Sequence, residues 1–315
     1  MDFNYFRKYH YNSPDELTAL PEYDCLISAF IDIDRVKGPA SKIPCKKLFW
    51  VCDENPLPAY LAGKEVFHIT KDNDGGISAA LIKTGAKRLC LDITGFVVPQ
   101  FLLLLRYLYS CGFTQMDVIY TEPNQYKENE NTQFSERFAK VEQVIGYSGT
   151  YTSEMENDLL VIAAGYDHSR IIDVANYKKS AKKVLLFGFP SSSPGMFQEN
   201  IIRAYQAEAA VGSDCFKDMD MNVFAPANDP FSTAQALKEY IDRESKRRKF
   251  SNVYLAPLSS KPQALGLALY YIWENGWEKP MSIIYPFCER YIGDTATGIA
   301  KVWRYEVELP REKPR

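Results

Sequence analysis

Six segments in the first half of this 315-residue chain recur, in the same order, in its second half. Residues 27–36 (ISAFIDIDRV) align with 162–171 (IAAGYDHSRI), which sets Asp32 on Asp167 and Arg35 on Arg170. Lys46-Lys47 then aligns with Lys182-Lys183, Val66-Phe67 with Val223-Phe224, Pro99-Gln100 with Pro262-Gln263, Met116 and Tyr120 with Met281 and Tyr285, and Ala139-Lys140-Val141 with Ala300-Lys301-Val302. Any two α/β halves share strand patterns, so one match means little. Six collinear matches point to an internal duplication, with about twenty extra residues in the second copy around 191–220.

Each copy alternates short apolar runs with helical stretches. Residues 25–31, 48–52, 66–70, 89–93 and 116–121 are continuous or nearly continuous apolar runs, the pattern of strands buried on both faces. The second copy repeats them at 159–164, 184–188, 221–225, 253–258 and 281–286. Helices are expected at 99–109, with Pro99 at the start, where its missing N–H costs nothing, and from 261 or 262 to 274. Strands alternating with helices imply parallel sheets covered on both sides. The expected fold is therefore α/β, two tandem Rossmann-like parallel-sheet units related by internal duplication. An N-terminal extension (1–22) would precede a first unit at 23–150 and a second at 151–315. The alternating segment 301–309 (KVWRYEVEL) would add an edge strand to the second sheet.

Composition narrows the class. Lys and Arg number 37 against 40 Asp and Glu, so the global basic excess of a nucleic-acid coat is missing. Seven cysteines, an odd number without a C-x-x-C pair, read as reduced thiols of a cytoplasmic protein. The N-terminus lacks the apolar core of a signal peptide, and no apolar run approaches the roughly 20 residues that span a bilayer. Three histidines make a His-built metal site or a Ser-His-Asp triad a poor fit.

In open parallel sheets, ligands bind beyond the carboxyl ends of the strands. Both copies place Asp-x-x-Arg after their first strand, Asp32 with Arg35 and Asp167 with Arg170. The aspartate suits a helix N-cap, and the guanidinium suits a phosphate. Thr94 and Gly95 in one copy, and Ser259, Ser260 and Lys261 in the other, occupy matching strand-to-helix turns. Hydroxyls and free N–H groups there can either cap a helix or cradle a phosphate. Asp32, Asp72, Asp92 and Glu122, each after a different strand, are candidate metal ligands or acid/base groups for a phosphoester reaction, Mg being the suitable ion. The loop 191–195 can contact a phosphate but reads first as a turn, and the basic run 246–249 reads first as a solvated helix end. Cys52 has no activating base in its sequence neighbourhood.

Asp32-Ile-Asp34-Arg-Val36 resembles the D-x-D-x-[TV] opening of haloacid-dehalogenase-type phosphatases, but the late acidic pair of that family has no match at Gly293-Asp294. Asp92-Ile-Thr-Gly95 and Ser259-Ser-Lys261 resemble the Thr-Gly-Gly-x-Lys turn of CARF and SAVED domains, Rossmann-like units of prokaryotic antiviral signalling; neither copy holds the full motif. SAVED is itself similar to two fused CARF-like units. The stretch 256–265 (APLSSKPQAL) also resembles a class of bacterial proteins to which no chemistry attaches.

What the CARF and SAVED resemblance implies is a cytoplasmic sensor that binds a small anionic or nucleotide ligand, needs no cofactor and acts through a protein partner. A metal-dependent phosphoesterase or nuclease is the enzymatic alternative, and a non-catalytic scaffold subunit is the third. Neither a membrane nor a nucleic acid is an expected partner.

Overall fold

Strands buried along their whole length need cover on both faces, and the central strands of this chain have it. The computed structural model describes residues 1–70, 72–126, 135–217, 222–291 and 296–311, with the side chains of 126, 135–139 and 289–291 outside that set. Two sheets of seven and six strands organise it. One compact unit comprises Phe6–Asn129 and Gly293–Arg315; the other comprises Met1–Tyr5 and Glu130–Ile292. They are called the first and second unit below.

The first unit runs through β1 (Lys8–Tyr11), β2 (Tyr23–Ala29), α1 (Asp34–Lys42), β3 (Cys45–Val51), β4 (Glu65–Phe67), α2 (Ile77–Thr84), β5 (Leu89–Asp92), α3 (Val98–Ser110), β6 (Gln115–Glu122) and β7 (Gln125–Tyr126). The second begins with β8 (Ser135–Ser148), β9 (Leu159–Ala163), α4 (His168–Tyr177) and β10 (Lys182–Gly188). After β10 come α5 (Met196–Tyr205), α6 (Glu208–Val211) and α7 (Asp214–Lys217). Then follow β11 (Val223–Ala225), α8 (Pro230–Ser245), β12 (Val253–Pro257), α9 (Lys261–Trp273) and β13 (Met281–Tyr291). The chain returns to the first unit with β14 (Ala296–Thr297) and β15 (Lys301–Glu308).

The first sheet has the order β1-β15-β6-β5-β2-β3-β4 and the second β11-β10-β9-β12-β13-β8. Numbered within each unit, the five parallel strands follow the same order, third-second-first-fourth-fifth. That is the Rossmann arrangement, whose switch point lies between the first and fourth strands. Each fifth strand, β6 or β13, also pairs with one antiparallel neighbour, β15 or β8. Every residue of β5, β9 and β12 is buried. On one face of the second sheet Leu160, Ile162, Leu185, Phe187, Ala256 and Ile284 pack with Ile171, Val174 and Ala204 from the helices. A fully buried side chain of this kind contributes about 1.5–3 kcal/mol. No helix among the described residues is long and apolar enough to cross a membrane.

Three expectations about organisation are corrected. The segment 301–309 does not edge the second sheet: β15 lies inside the first, between β1 and β6. Its partners explain the choice. Trp303 Nε1 donates to Glu122 Oε2 at 2.6 Å, and Arg304 meets Asp117 at 3.6 Å. Asp117 also accepts from the phenol of Tyr23, which is fully buried. At the corresponding places of β13 stand Ser282 and Phe287, which offer no carboxylate. Second, residues 1–22 are more than an extension. Phe3 is buried in the second unit, its N–H donating to Gln235 Oε1 at 3.0 Å, while β1 edges the first sheet. Third, the chain has already entered the second sheet at Ser135, so the passage between units precedes residue 150.

Candidate functional site

The carboxylates proposed for metal or acid/base chemistry are set apart. Asp92, at the end of β5, is fully buried; its oxygens accept from Ser28 Oγ at 2.9 Å and from the Thr94 N–H at 3.0 Å. Glu122 is buried against Trp303. Asp32 has a side chain 75% exposed and pairs with Lys37. Asp72 accepts from Thr70 Oγ1 at 2.9 Å on the surface. Among the described residues no three His, Cys, Asp or Glu side chains are placed to hold one metal ion, so the expected gathering of these four does not form. Burial pushes the Cys52 thiol upward and raises Cys25 to about 12, which disfavours the thiolate at both. The Gly293-Asp294 pair lies outside the described residues.

The paired Asp-x-x-Arg motifs divide. Asp167 caps α4, accepting from the N–H of Ser169 at 3.1 Å and from its hydroxyl. Asp32 caps nothing; Ile33 stands at the cap of α1, with no side-chain hydrogen bond. Both arginines turn inward. Arg35 Nη1 donates to the carbonyl of Thr121 at 3.4 Å, and Arg170 Nη2 to that of Pro286 at 3.1 Å. Arg170 also lies 4.6 Å over the Tyr285 ring; burial pushes that phenol upward and Arg170 opposes the shift. Each guanidinium thus hydrogen-bonds a carbonyl of its unit's fifth strand, a use that the sequence reading of both as anion ligands did not include.

The two strand-to-helix turns differ more sharply. In the first unit Asp92, Ile93, Thr94, Gly95 and Phe96 are all buried, and Thr94 Oγ1 accepts from the Thr121 N–H at 2.9 Å. A Cβ on Gly95 would fall 2.2 Å from the Ala29 carbonyl oxygen, so glycine is required for this close approach of the fourth strand's turn to the first strand. The cradle expected of Thr94 and Gly95 is packed shut. In the second unit the close approach is made from the other side, Gly165 meeting the Leu258 carbonyl. Leu258, Ser259, Ser260 and Lys261 stay half-exposed.

Both serines there are engaged. Ser260 caps α9, accepting from the Gln263 N–H at 3.3 Å, and its hydroxyl donates to the carbonyl of Ala227. Ser259 Oγ donates to Gln263 Oε1 at 2.7 Å. With Pro262 lacking an N–H, the turn supplies the charge of Lys261 rather than a full amide cradle. The Ala227 N–H in turn donates to the Pro190 carbonyl at 2.9 Å, and Gln263 Nε2 reaches the Ala225 carbonyl at 3.2 Å. The turns after β10, β11 and β12 are thereby tied into one knot at the carboxyl edge of the second sheet. Phe189, 53% exposed, belongs to this knot, followed by the loop in which Ser191 Oγ donates to the Ser193 carbonyl at 2.8 Å. Sequence reasoning missed Phe189 because an aromatic at a strand end reads as core.

The sequence matches no protein-family model and no curated protein. Among solved structures, the precorrin-6A reductase CobK is similar over 87% of this chain and 93% of that one, with 11% identity and a TM-score of 0.24, too low to carry an argument.

Proposed function

We propose that the chain is a non-catalytic cytoplasmic sensor whose second unit binds a small anionic, nucleotide-type ligand and which acts through a protein partner. The two units are read as copies of one ancestral unit, and the antiviral setting implied by the CARF and SAVED resemblance belongs to the same proposal. The observation that carries the reading is the knot of turns at the carboxyl edge of the second sheet, where half-exposed Lys261 at the start of α9 and exposed Phe189 stand on loops hydrogen-bonded to one another. An ammonium at a helix N-terminus attracts a phosphate, and an exposed ring offers a face on which a base stacks. The separated carboxylates favour binding over hydrolysis.

The test is thermal unfolding with a panel of mononucleotides and cyclic oligonucleotides, together with native mass spectrometry of protein purified from its host. A ligand at a hundred times its dissociation constant stabilises the folded state by about 2.7 kcal/mol. Lys261→Ala and Phe189→Ala are expected to abolish that shift while leaving the ligand-free transition unchanged. No shift with any nucleotide and no co-purifying ligand would refute the reading.

A further inference from the structure

At the amino edge of the second sheet, the opposite end of the strands from the knot of turns, Lys182, Leu159 and Val253 open β10, β9 and β12 side by side. Two short segments border this edge: 178–183, which leads from α4 into β10, and 243–249, which closes α8. Together they hold nine Lys and Arg residues and one carboxylate, Glu244, in a chain whose net charge is -3. Glu244 is buried and joins the two segments, meeting Lys182 at 3.4 Å, Arg247 at 3.3 Å and Arg243 at 3.6 Å. One carboxylate thus answers three cations. The other six, Lys178, Lys179, Lys183, Lys246, Arg248 and Lys249, form no ion pair among the described residues. Carboxylates also border the patch: Asp158 is buried, with Asn252 donating to it at 2.7 Å, and Glu154 and Glu156 are exposed on the loop before β9. Nine cations against four carboxylates leave a positive excess. Burial holds Lys178 and Lys183 below the usual lysine value, and the charge of Lys179 lowers Lys183 further, a crowding that a bound anion relieves.

Aromatic faces interleave with these cations. Tyr177 and Tyr151 are exposed, and the Lys178 ammonium lies 5.0 Å over the ring of Tyr177 and 3.8 Å over that of Tyr254. Burial first, then Asp158, Tyr151 and Tyr177, push the buried Tyr254 phenol up, so both exposed rings stand around it. We propose that this edge binds single-stranded nucleic acid, with its phosphates on the unpaired lysines and its bases stacked on Tyr177 and Tyr151. A cationic track beside exposed rings is what a single strand needs; in a duplex the bases already stack on one another. An anionic bilayer takes up an apolar helix face, and α4 and α8 bury theirs within the unit. A missing global basic excess excludes a coat, not a local track. The inference does not depend on the ligand reading at the carboxyl edge.

Fluorescence anisotropy on the full-length chain, with labelled oligouridylate and oligothymidylate of about 15 nucleotides, tests the assignment. Binding is expected at low salt, with log K falling against log salt at a slope of about −3, for about four phosphates engaged at about −0.7 each. Lys246→Ala combined with Lys249→Ala removes two exposed cations that make no ion pair. It should weaken binding about tenfold or more and make the slope shallower by about 1.4. Tyr177→Ala should weaken binding about tenfold with the slope unchanged, because stacking releases no counterion. Thermal unfolding of each variant alone should match the wild type. Should Tyr177→Ala unfold early, Tyr151→Ala, outside any helix or strand, takes its place. Binding by either oligomer supports the proposal, and the tighter one names the sugar. No binding at low salt, or binding that both variants leave untouched, would overturn it. So would tighter binding to a duplex of the same length, or to vesicles of phosphatidylserine and phosphatidylcholine.

Discussion

The two sheets share a strand order but end in different chemistry. Where β2 pairs with β5, Ser28 stands opposite Asp92; where β9 pairs with β12, Ala163 stands opposite Pro257. On the fifth strand, Glu122 of the first unit faces Lys301, whereas Phe287 of the second faces Lys140. The first unit thus keeps carboxylates in its interior and satisfies them with a hydroxyl, an amide and an indole N–H. The second ends β12 on apolar residues and carries Ser259, Ser260 and Lys261 on the half-exposed turn that follows. A buried carboxylate with such partners is structural, so the residues that look most catalytic in the sequence are those that fasten the first sheet. The plainer second unit retains the accessible edge.

Transplanting the carboxylate is the strongest way to break this contrast. Pro257→Asp would bury a charge opposite Ala163, where no side-chain hydroxyl stands in the place of Ser28. The expected loss is about 3–5 kcal/mol, or failure to fold. The reverse change, Asp92→Ala, strands the Ser28 hydroxyl and the Thr94 N–H and is expected to cost about 1–3 kcal/mol. Urea unfolding of both variants measures the difference. Equal losses would mean that the two strand ends share one environment after all.

The parallel cores were legible in the sequence because buried strands announce themselves as apolar runs: 89–93 and 159–164 coincide with β5 and β9 to within a residue or two. The match of Ala139-Lys140-Val141 with Ala300-Lys301-Val302 falls on β8 and β15, the strands that pair antiparallel with β13 and β6. The destination of those strands was not legible. An alternating segment such as 301–309 fits any open sheet edge, and the selecting contacts, Arg304 with Asp117 and Trp303 with Glu122, join residues far apart in the chain. The arginines after the first strands misled for a related reason. A guanidinium suits phosphate and a main-chain carbonyl alike, and only the fold decides which it meets.

A smaller effect separates capping from binding at the accessible turn. Ser260 Oγ is committed to the cap of α9 and to the Ala227 carbonyl. Ser260→Ala should therefore cost about 1 kcal/mol of stability. The N-cap of α3 in the first unit is Val97, whose side chain makes no cap hydrogen bond. If Ser260→Ala leaves the urea midpoint unchanged, the cap contributes nothing and the knot of turns is held by Gln263.

The mildest test uses an aspartate at the opposite, solvent-facing end of the first sheet. Asp24 accepts from the Lys46 ammonium at 2.7 Å and from the main-chain N–H groups of Lys87 and Arg88 at 3.0 Å. These hold its carboxyl well below the usual range, the lysine contributing most. A depressed folded-state value means that the stabilisation is complete above the unfolded carboxylate value of about 3.9 and is lost as the pH falls below it toward the folded value. The urea midpoint of the wild type should therefore drop between about pH 5 and pH 2 more steeply than that of Asp24→Asn, which keeps the size of the side chain and never carries the charge. Parallel curves would show that an exposed carboxylate with three donors contributes nothing measurable, and that stabilising carboxylates in this unit are confined to its interior.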